Sequence, residues 1–207
     1  MRASPDILEV DIATGKKTTR IQSGRRAIRA LNRARIPYAV IGATALAVRG
    51  LPRMTRDVDF VVLLEDAFEA LDALSSAGFR SVTPVRPEED PEAMYVLEDR
   101  RGAEIDLLVA SAEPESTIVA EAKRTSVIGE RAPVATLEQL LLMYLYSNQP
   151  KHLGDFARVV TEAKVDLSKV ERYLADVHPE MLRVLKKRVQ DARHPPPAPT
   201  RPPRRPS

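Results

Sequence analysis

The stretch that most constrains the fold of this chain is DVDFVVLL, residues 57–64. Its five consecutive apolar residues, 60–64, predict a buried β-strand bounded by polar residues. Two carboxylates, Asp57 and Asp59, stand at the mouth of that strand. Because side chains alternate along a strand, both carboxylates lie on the same face, roughly 6.6 Å apart. Two anions at the edge of a core repel each other and resist desolvation, so the pair needs an explanation.

A divalent cation would neutralise this pair of carboxylates. Mg²⁺ takes hard oxygen ligands, typically one or two carboxylates together with substrate phosphates, and Mn²⁺ shares that preference. Residues of this type at this spacing therefore predict a metal site, with Mg²⁺ (or Mn²⁺) as the cofactor. Asp57 and Asp59 are the predicted metal ligands.

A third carboxylate occupies a similar setting in AEIDLLVA, residues 103–110. Glu104 and Asp106 share one face of this predicted strand, and Asp106 is preferred because apolar neighbours on both sides place it inside the strand. If the two strands are neighbours, Asp106 completes a two-cation site that activates an attacking hydroxyl and stabilises a leaving pyrophosphate. The alternative is that these carboxylates form salt bridges with Arg53, Arg56, Arg100 or Arg101.

The order of predicted elements up to residue 110 is helix, strand, helix, strand, helix and three strands. The predicted helices span 20–36, 43–50 and 65–78, and the predicted strands span 37–42, 57–64, 79–85, 93–99 and 103–110. From about Thr117 onward the chain is predicted to be mainly helical, with helices in 136–147, 153–163, 167–177 and 179–193. The pattern predicts an α+β fold: a small mixed β-sheet backed by helices, with a C-terminal helical subdomain.

The predicted organisation has four parts: an N-terminal extension (1–20), a core (21–115), a helical subdomain (116–192) and a disordered Pro/Arg-rich tail (193–207). The tail holds four arginines, no acidic residue and seven of the 17 prolines, whereas the rest of the chain has 28 basic and 29 acidic residues. The basic character therefore belongs to the tail. It either solubilises the terminus or adds weak electrostatic affinity for RNA.

Composition excludes several classes of site. The chain has no cysteine, which excludes disulfides and thiolate zinc sites, and no tryptophan and 4% aromatic residues, which argue against base-stacking platforms. The N-terminus has no apolar signal region and no window approaches a membrane span, so we expect a soluble cytoplasmic protein without membrane contacts. Arg25, Arg29 and Arg33 form a row on the first helix, either a solvated face or an RNA-facing stripe.

A phosphate site is suggested by Gly42, which closes one predicted strand and opens a helix. Such a junction exposes backbone N–H groups, and glycine lets the chain approach a phosphate closely. The hydroxyl of Thr44 would add one more donor. The alternative is that Gly42 only makes a tight turn.

Together, VIGATALAVRGLPRMTRDVDFVV (40–62) resembles the signature of the DNA-polymerase-β-like nucleotidyltransferase superfamily. That signature is Gly followed by Gly or Ser, a spacer, and Asp-x-Asp/Glu between apolar residues. Here Gly42 and Ala43 precede 13 residues and then Asp57-Val58-Asp59, and AEIDLLV matches the third-carboxylate strand at Asp106. RMTRDVD is most similar to a minimal bacterial branch that includes the toxins of type IV toxin–antitoxin pairs.

The resemblance implies a nucleotidyltransferase fold and metal-dependent transfer of a nucleoside monophosphate from an NTP. In the toxin branch the acceptor is an RNA 3′ end, often that of tRNA, and a cognate antitoxin protein is the partner. The implied catalytic and metal-binding residues are Asp57, Asp59 and Asp106, and the implied nucleotide-binding residues are Gly42, Ala43, Thr44, Arg53 and Lys151.

The chain also departs from this family pattern. Ala43 replaces the usual Gly or Ser, and Tyr144 and Gln149 stand where the toxin branch tends to carry Lys and Arg. These departures leave two alternatives open: a degenerate module that binds nucleotide without turnover, and an enzyme that modifies a small molecule, such as an aminoglycoside, or a protein hydroxyl. Lys151 is followed four residues later by Asp155, so the two residues could instead form a surface ion pair.

Overall fold

The structure is a computed structural model that describes residues 19–55, 57–82 and 94–195. The predicted tail from residue 196 onward, residues 1–18 of the predicted extension and Arg56 lie outside the described residues. The α-helices are α1 (Thr19–Ala34), α2 (Gly42–Val48), α3 (Ala67–Ser76), α4 (Glu115–Glu121), α5 (Leu137–Leu145), α6 (Pro150–Glu162), α7 (Leu167–Val177) and α8 (Leu182–Arg193). The strands are β1 (Ala39–Val40), β2 (Asp59–Leu63), β3 (Phe79–Ser81), β4 (Met94–Asp99), β5 (Glu104–Ala110), β6 (Lys123–Val127) and β7 (Glu130–Val134).

The seven described strands form one mixed sheet in the order β3-β4-β5-β2-β1-β7-β6. Strand β2 pairs in parallel with β5, and β1 pairs in parallel with β7, while the other neighbours are antiparallel. Helix α1 packs on β5 and β7, and α2 and α4 contact β2. The predicted α+β fold, with a small mixed sheet backed by helices, is confirmed. No helix in the described part of the chain combines the length and apolarity needed to cross a bilayer.

Strand β2 occupies the centre of the sheet, as its apolar run predicts. Phe60, Val61 and Val62 are completely buried. A strand covered on both faces and paired on both edges has no polar surface to satisfy, which explains why it lacks the alternation of a half-exposed strand. Its first residue, Asp59, stands at the point where this burial ends.

A buried carboxylate ties the turn between β4 and β5 to helix α1. One oxygen of Asp99 accepts hydrogen bonds from the backbone N–H groups of Arg101 (2.8 Å) and Ala103 (3.0 Å). The other accepts from the Ser23 hydroxyl and from the Arg26 guanidinium. Burial alone would raise the pKa of Asp99, but these four hydrogen bonds outweigh it and hold the pKa at about 2.

The prediction of a mainly helical chain from Thr117 is wrong for residues 123–134, which form the β6–β7 hairpin. Its two-residue turn, Ile128–Gly129, has positive φ at both positions (41° and 84°), the requirement of a type I′ turn. The flanking segments KRTSV and ERAPV alternate weakly, and Pro133 is unusual within a strand. The hairpin also joins the sheet through the long-range pairing of Val134 with Val40 on β1, which a local pattern does not contain.

The chain divides into two compact units between Met143 and Tyr144. Within the second unit, α6 and α7 both pack against α8. Arg188 of α8 donates to the carbonyl oxygens of Tyr144 (2.7 Å) and Ser147 (3.0 Å), which ties α8 to the end of α5 and the turn that follows it. The helical character of residues 136–193 is confirmed, whereas the domain bounds 21–115 and 116–192 stay a prediction.

The four hydrogen bonds accepted by Asp99, which we call the Asp99 clamp, make the stability of the fold depend on pH. Because the pKa of Asp99 is depressed, its carboxylate stabilises the fold at pH values above the ordinary carboxyl pKa, which is near 3.9. This contribution is lost as the pH falls through about 2. Asp99→Asn keeps one acceptor for the turn but loses the acceptor for Ser23 and Arg26. We expect it to lower the free energy of unfolding by about 2 kcal/mol at pH 7.

Urea unfolding of the wild type and Asp99→Asn, measured between neutral pH and pH 2.5, tests this expectation. The difference between the two proteins should shrink as the pH falls. Asp176→Asn, which changes an exposed carboxylate on α7, is the matched control and should show little difference at any pH. A loss at Asp99→Asn that is the same at all pH values would contradict the ionic origin of the clamp.

Candidate functional site

Three carboxylates converge at the start of two neighbouring strands. Asp59 of β2 lies directly opposite Asp106 of β5 in the parallel register, and Asp57 precedes β2 by two residues. One carboxylate oxygen from each of the three lies within 4.8 Å of the others. All three residues are partly exposed, so the cluster faces solvent at the edge of the core. The expectation that the strand of Asp106 neighbours that of Asp59 is confirmed.

The backbone fixes this convergence. The N–H of Asp106 donates to the carbonyl of Val58 (3.1 Å), and the carbonyl of Asp59 accepts from the N–H of Ile41 (3.0 Å). These hydrogen bonds hold the first residues of β2 between β5 and the end of β1. The backbone positions of Asp59 and Asp106 therefore follow from the strand register.

Gly42 packs directly against one of the three carboxylates. It has a positive φ of 59°, and a Cβ added there would fall 2.0 Å from Oδ2 of Asp59. Only glycine has room at this position and adopts this backbone conformation without strain. The sequence predicts that Gly42 lets the backbone approach a phosphate, and the structure adds a second reason for glycine here, which is the close approach of Asp59.

Of the other predicted nucleotide-binding residues, Ala43 and Thr44 are buried, with 1% and 0% of their surface exposed. Within the described part of the chain the Thr44 hydroxyl has no hydrogen-bond partner. The structure therefore does not place this hydroxyl at an open surface. The predicted contribution of Ala43 and Thr44 to nucleotide binding stays a prediction, and it would have to come from their backbone.

The two basic residues that are predicted to contact phosphates, Arg53 and Lys151, belong to different compact units. Arg53, in the segment before the carboxylates, is partly exposed, and its Nη1 donates to the carbonyl of Met54 (3.1 Å). Lys151 is exposed in the first turn of α6, in the second unit. Their contacts with phosphates stay a prediction. Arg101 is one of the arginines considered above as salt-bridge partners of the carboxylates. Its Nη1 donates to Oε1 of Gln22 (3.5 Å).

One residue that the sequence analysis did not assign to the site is Thr55. Its hydroxyl donates to Oδ1 of Asp57 (2.6 Å) and also lies 3.3 Å from the Asp57 carbonyl oxygen. A threonine two residues before an acidic side chain can make such a local bond, so its spacing was the available signal. The bond fixes the orientation of the Asp57 carboxylate.

The donor set fits a hard divalent cation. Three carboxylates whose oxygens lie within 4.8 Å repel one another, and a cation bound between them would remove that repulsion. Carboxylate oxygens are the ligands that suit Mg²⁺ and Mn²⁺. A Gly42 that leaves room for Asp59 and a Thr55 that orients Asp57 are the kind of supporting contacts that position metal ligands.

Comparison with known proteins gives a likeness of structure only. No protein-family model and no curated protein matches the chain. The solved structure of the antibiotic-resistance factor ANT(2'')-Ia matches with a TM-score of 0.55 and 17% identity, over 85% of this chain and 96% of that chain. The lincomycin-bound lincosamide antibiotic adenylyltransferase LnuA matches with a TM-score of 0.48 and 12% identity, over 68% of this chain and 96% of that chain.

At these identities the likeness concerns the fold. The chain has the nucleotidyltransferase fold, as its resemblance to that superfamily predicted. The finer resemblance to the toxin branch stays a prediction. What the site does with this fold has to be argued from its residues.

The contact of Gly42 with Asp59 can be tested by adding one methyl group. Gly42→Ala should displace the Asp59 carboxylate and weaken Mn²⁺ binding by at least about tenfold, because a metal ligand leaves its position. Its matched control is Gly78→Ala, where φ is also positive (88°) but nothing lies within 4 Å of the added Cβ. Both variants should lose about 1 kcal/mol of stability to backbone strain.

Calorimetric titration with Mn²⁺ and thermal unfolding separate these two effects. Equal Mn²⁺ affinities in the two alanine variants would show that the close approach of Gly42 to Asp59 has no part in metal binding.

The role of Thr55 is tested by a pair of substitutions. Thr55→Val keeps the shape of the side chain and removes the hydrogen bond to Asp57, so Mn²⁺ affinity should fall by about 10-fold to 100-fold. Thr55→Ser keeps the hydroxyl and should bind Mn²⁺ nearly as well as the wild type. If the two variants bind Mn²⁺ equally, Thr55 does not position Asp57.

Proposed function

We propose that the protein is a metal-dependent nucleotidyltransferase that moves a nucleoside monophosphate from an NTP to an acceptor hydroxyl. The observation that carries this proposal is the convergence of Asp57, Asp59 and Asp106 at the open end of two paired strands. The nucleotidyltransferase fold supports it, because the carboxylates lie on or directly before the strands that match the superfamily signature.

The three carboxylates have different roles in this proposal. Asp57 and Asp59 would hold Mg²⁺ (or Mn²⁺), and Asp106 would complete the site. When bound, the cations would neutralise charge on the phosphates and lower the pKa of the acceptor hydroxyl. Thr55 holds Asp57 in one orientation, and Gly42 leaves room for Asp59.

The chemistry is a displacement at the α-phosphorus of the NTP. The acceptor oxygen bonds to that phosphorus, the bond to the oxygen bridging the β-phosphate breaks, and pyrophosphate leaves. The proton of the acceptor hydroxyl passes to the carboxylate of Asp106 in this proposal, since that residue is the one implied to activate the acceptor. The backbone of residues 42–44 and Arg53 would bind the triphosphate, and the contact of Lys151 with phosphates stays a prediction.

The acceptor that the sequence resemblance favours is an RNA 3′ end, such as that of tRNA, with the protein acting as the toxin of a toxin–antitoxin pair. A second candidate is a small-molecule acceptor. It is favoured by the likeness to ANT(2'')-Ia, an antibiotic-resistance factor that this chain covers over 96% of its length. A degenerate module that binds nucleotide without turnover is the third, and Ala43 motivates it.

The experiment that tests these proposals incubates the purified chain with Mg²⁺ or Mn²⁺ and each labelled NTP in turn. Total tRNA, a panel of aminoglycosides and lincosamides, and the protein alone serve as acceptors. Label on tRNA supports the RNA transferase, and label on a drug supports the second candidate. Metal-dependent NTP binding without transfer to any acceptor would support the degenerate module.

A matched pair of variants on β5 makes this experiment specific to the site. Asp106→Asn should lower the rate of transfer by about 10²–10⁴-fold, because it removes the proposed base and one metal ligand. Glu104→Gln removes a carboxylate from the same face of the same strand, but Glu104 is exposed and outside the cluster, so its rate should stay near that of the wild type. Equal rates in the two variants would rule out the proposed role of Asp106.

A further inference from the structure

A concentration of arginines lies where α1 packs beside the β6–β7 hairpin. We call it the arginine face, and it consists of Arg25 and Arg29 on α1, Arg124 on β6 and Arg131 on β7. The side chains of Arg25 and Arg29 are 40% and 51% exposed, and Arg124 and Arg131 are exposed residues. All four side chains are therefore at least partly accessible to a ligand.

One carboxylate is shared by the two helical arginines. Oε1 of Glu130 accepts from Nε of Arg29 (2.8 Å) and from Nη2 of Arg25 (3.3 Å). A guanidinium has five N–H donors, so each arginine keeps donors for another acceptor. A single negative charge also cannot neutralise two cations.

The hairpin arginines are held by neutral oxygens. Arg124 donates to Oδ1 of Asn32 (2.6 Å) and to the carbonyl of Arg131 (3.0 Å), and Arg131 donates to the carbonyl of Arg124 (3.4 Å). Asn32 also donates to the carbonyl of Arg131 (2.9 Å), which ties the pair to α1. These bonds position both guanidinium groups and leave their charge in place. The arginine face thus carries an excess of positive charge that a polyanion would complement.

Gly24 links the start of the arginine face to the backbone segment that carries the carboxylates, through the side chain of Val58, which points to the opposite face of the sheet from Asp57 and Asp59. Gly24, which precedes Arg25, packs between Val58 and Ile128: a Cβ there would fall 2.8 Å from Cγ2 of Val58 and 2.7 Å from Cδ1 of Ile128. Val58 lies between Asp57 and Asp59, and Ile128 is in the hairpin turn before Glu130. The start of α1, the hairpin turn and the carboxylate segment therefore meet at Gly24.

We propose that the arginine face binds the phosphate backbone of an RNA acceptor. The proposal rests on the proposed transfer to an acceptor hydroxyl and names the class of acceptor. Guanidinium groups bind phosphate oxygens in a bidentate manner, and a chain with 4% aromatic residues is suited to contacts with backbone rather than stacked bases. A cationic acceptor would be repelled by the same face.

The test measures binding of deacylated bulk tRNA with a 5′ fluorophore to the full chain, without NTP or divalent cation. Fluorescence anisotropy at about 50 to 200 mM KCl gives the affinity and its salt dependence. Arg131→Glu should weaken binding at least about tenfold and lower the slope of log affinity against log salt by about one or more. Arg124→Gln, which removes a charge and keeps a donor for Asn32, should lower the slope by about 0.7–0.9.

The matched control is Arg172→Glu, which makes the same change in charge at an exposed position on α7 and should leave both quantities near those of the wild type. Equal affinity and slope in Arg131→Glu and Arg172→Glu would overturn the proposal. So would displacement of the tRNA by polyglutamate as readily as by polyuridylate, since the face would then fit an acidic protein equally well.

This assay measures binding and involves no covalent bond formation, so its outcome is independent of catalysis. If the variants lose tRNA binding and the wild type transfers nothing, the arginine face stands and the proposed transferase falls. If the variants bind tRNA normally and the wild type labels it, the transferase stands and the arginine face falls.

Discussion

The parallel pairing of β2 with β5 is the constraint on which the candidate site depends. It sets Asp59 opposite Asp106, and the apolar remainder of both strands buries itself in the centre of the sheet. The register cannot slip by one residue without turning every buried side chain of β2 to the opposite face. The core therefore enforces the closeness of two carboxylates that repel each other. A site built in this way stays assembled even when no cation is bound to relieve the repulsion.

Two small residues adapt the surroundings to this enforced cluster. Gly42 has no side chain, so the Asp59 carboxylate can lie against the start of α2. Thr55 fixes the orientation of the Asp57 carboxylate through a hydrogen bond. Neither residue has an ionisable group. Their value lies in pre-organisation, because ligands already in place lose little conformational freedom when they bind. The chemistry of the carboxylates and the geometry supplied by their neighbours are thus separate contributions to one site.

The parts of the structure that were predictable from the sequence are those encoded by nearby residues. The apolar run after Asp59 identified a buried strand, and apolar neighbours on both sides identified Asp106 as a strand residue. The β6–β7 hairpin was missed because its strands are short and weakly alternating, and because β7 joins the sheet by pairing with β1, far away in the chain. The burial of Thr44 could not be predicted either, because the exposure of a hydroxyl depends on tertiary packing, which the spacing of residues in the sequence does not determine.

The pairing of Val40 with Val134 has a consequence for how the chain reaches this structure. A growing polypeptide that has been synthesised only through β5 can form the β1–β2 and β2–β5 ladders, yet it leaves the other edge of β1 without a partner. Closure over that edge waits for the hairpin, and contacts between such distant residues slow folding. During this interval the nascent chain exposes an unpaired strand edge, a template for association with other chains. Pairing of the hairpin covers this edge of β1 and leaves β6 as the edge strand at that end of the sheet.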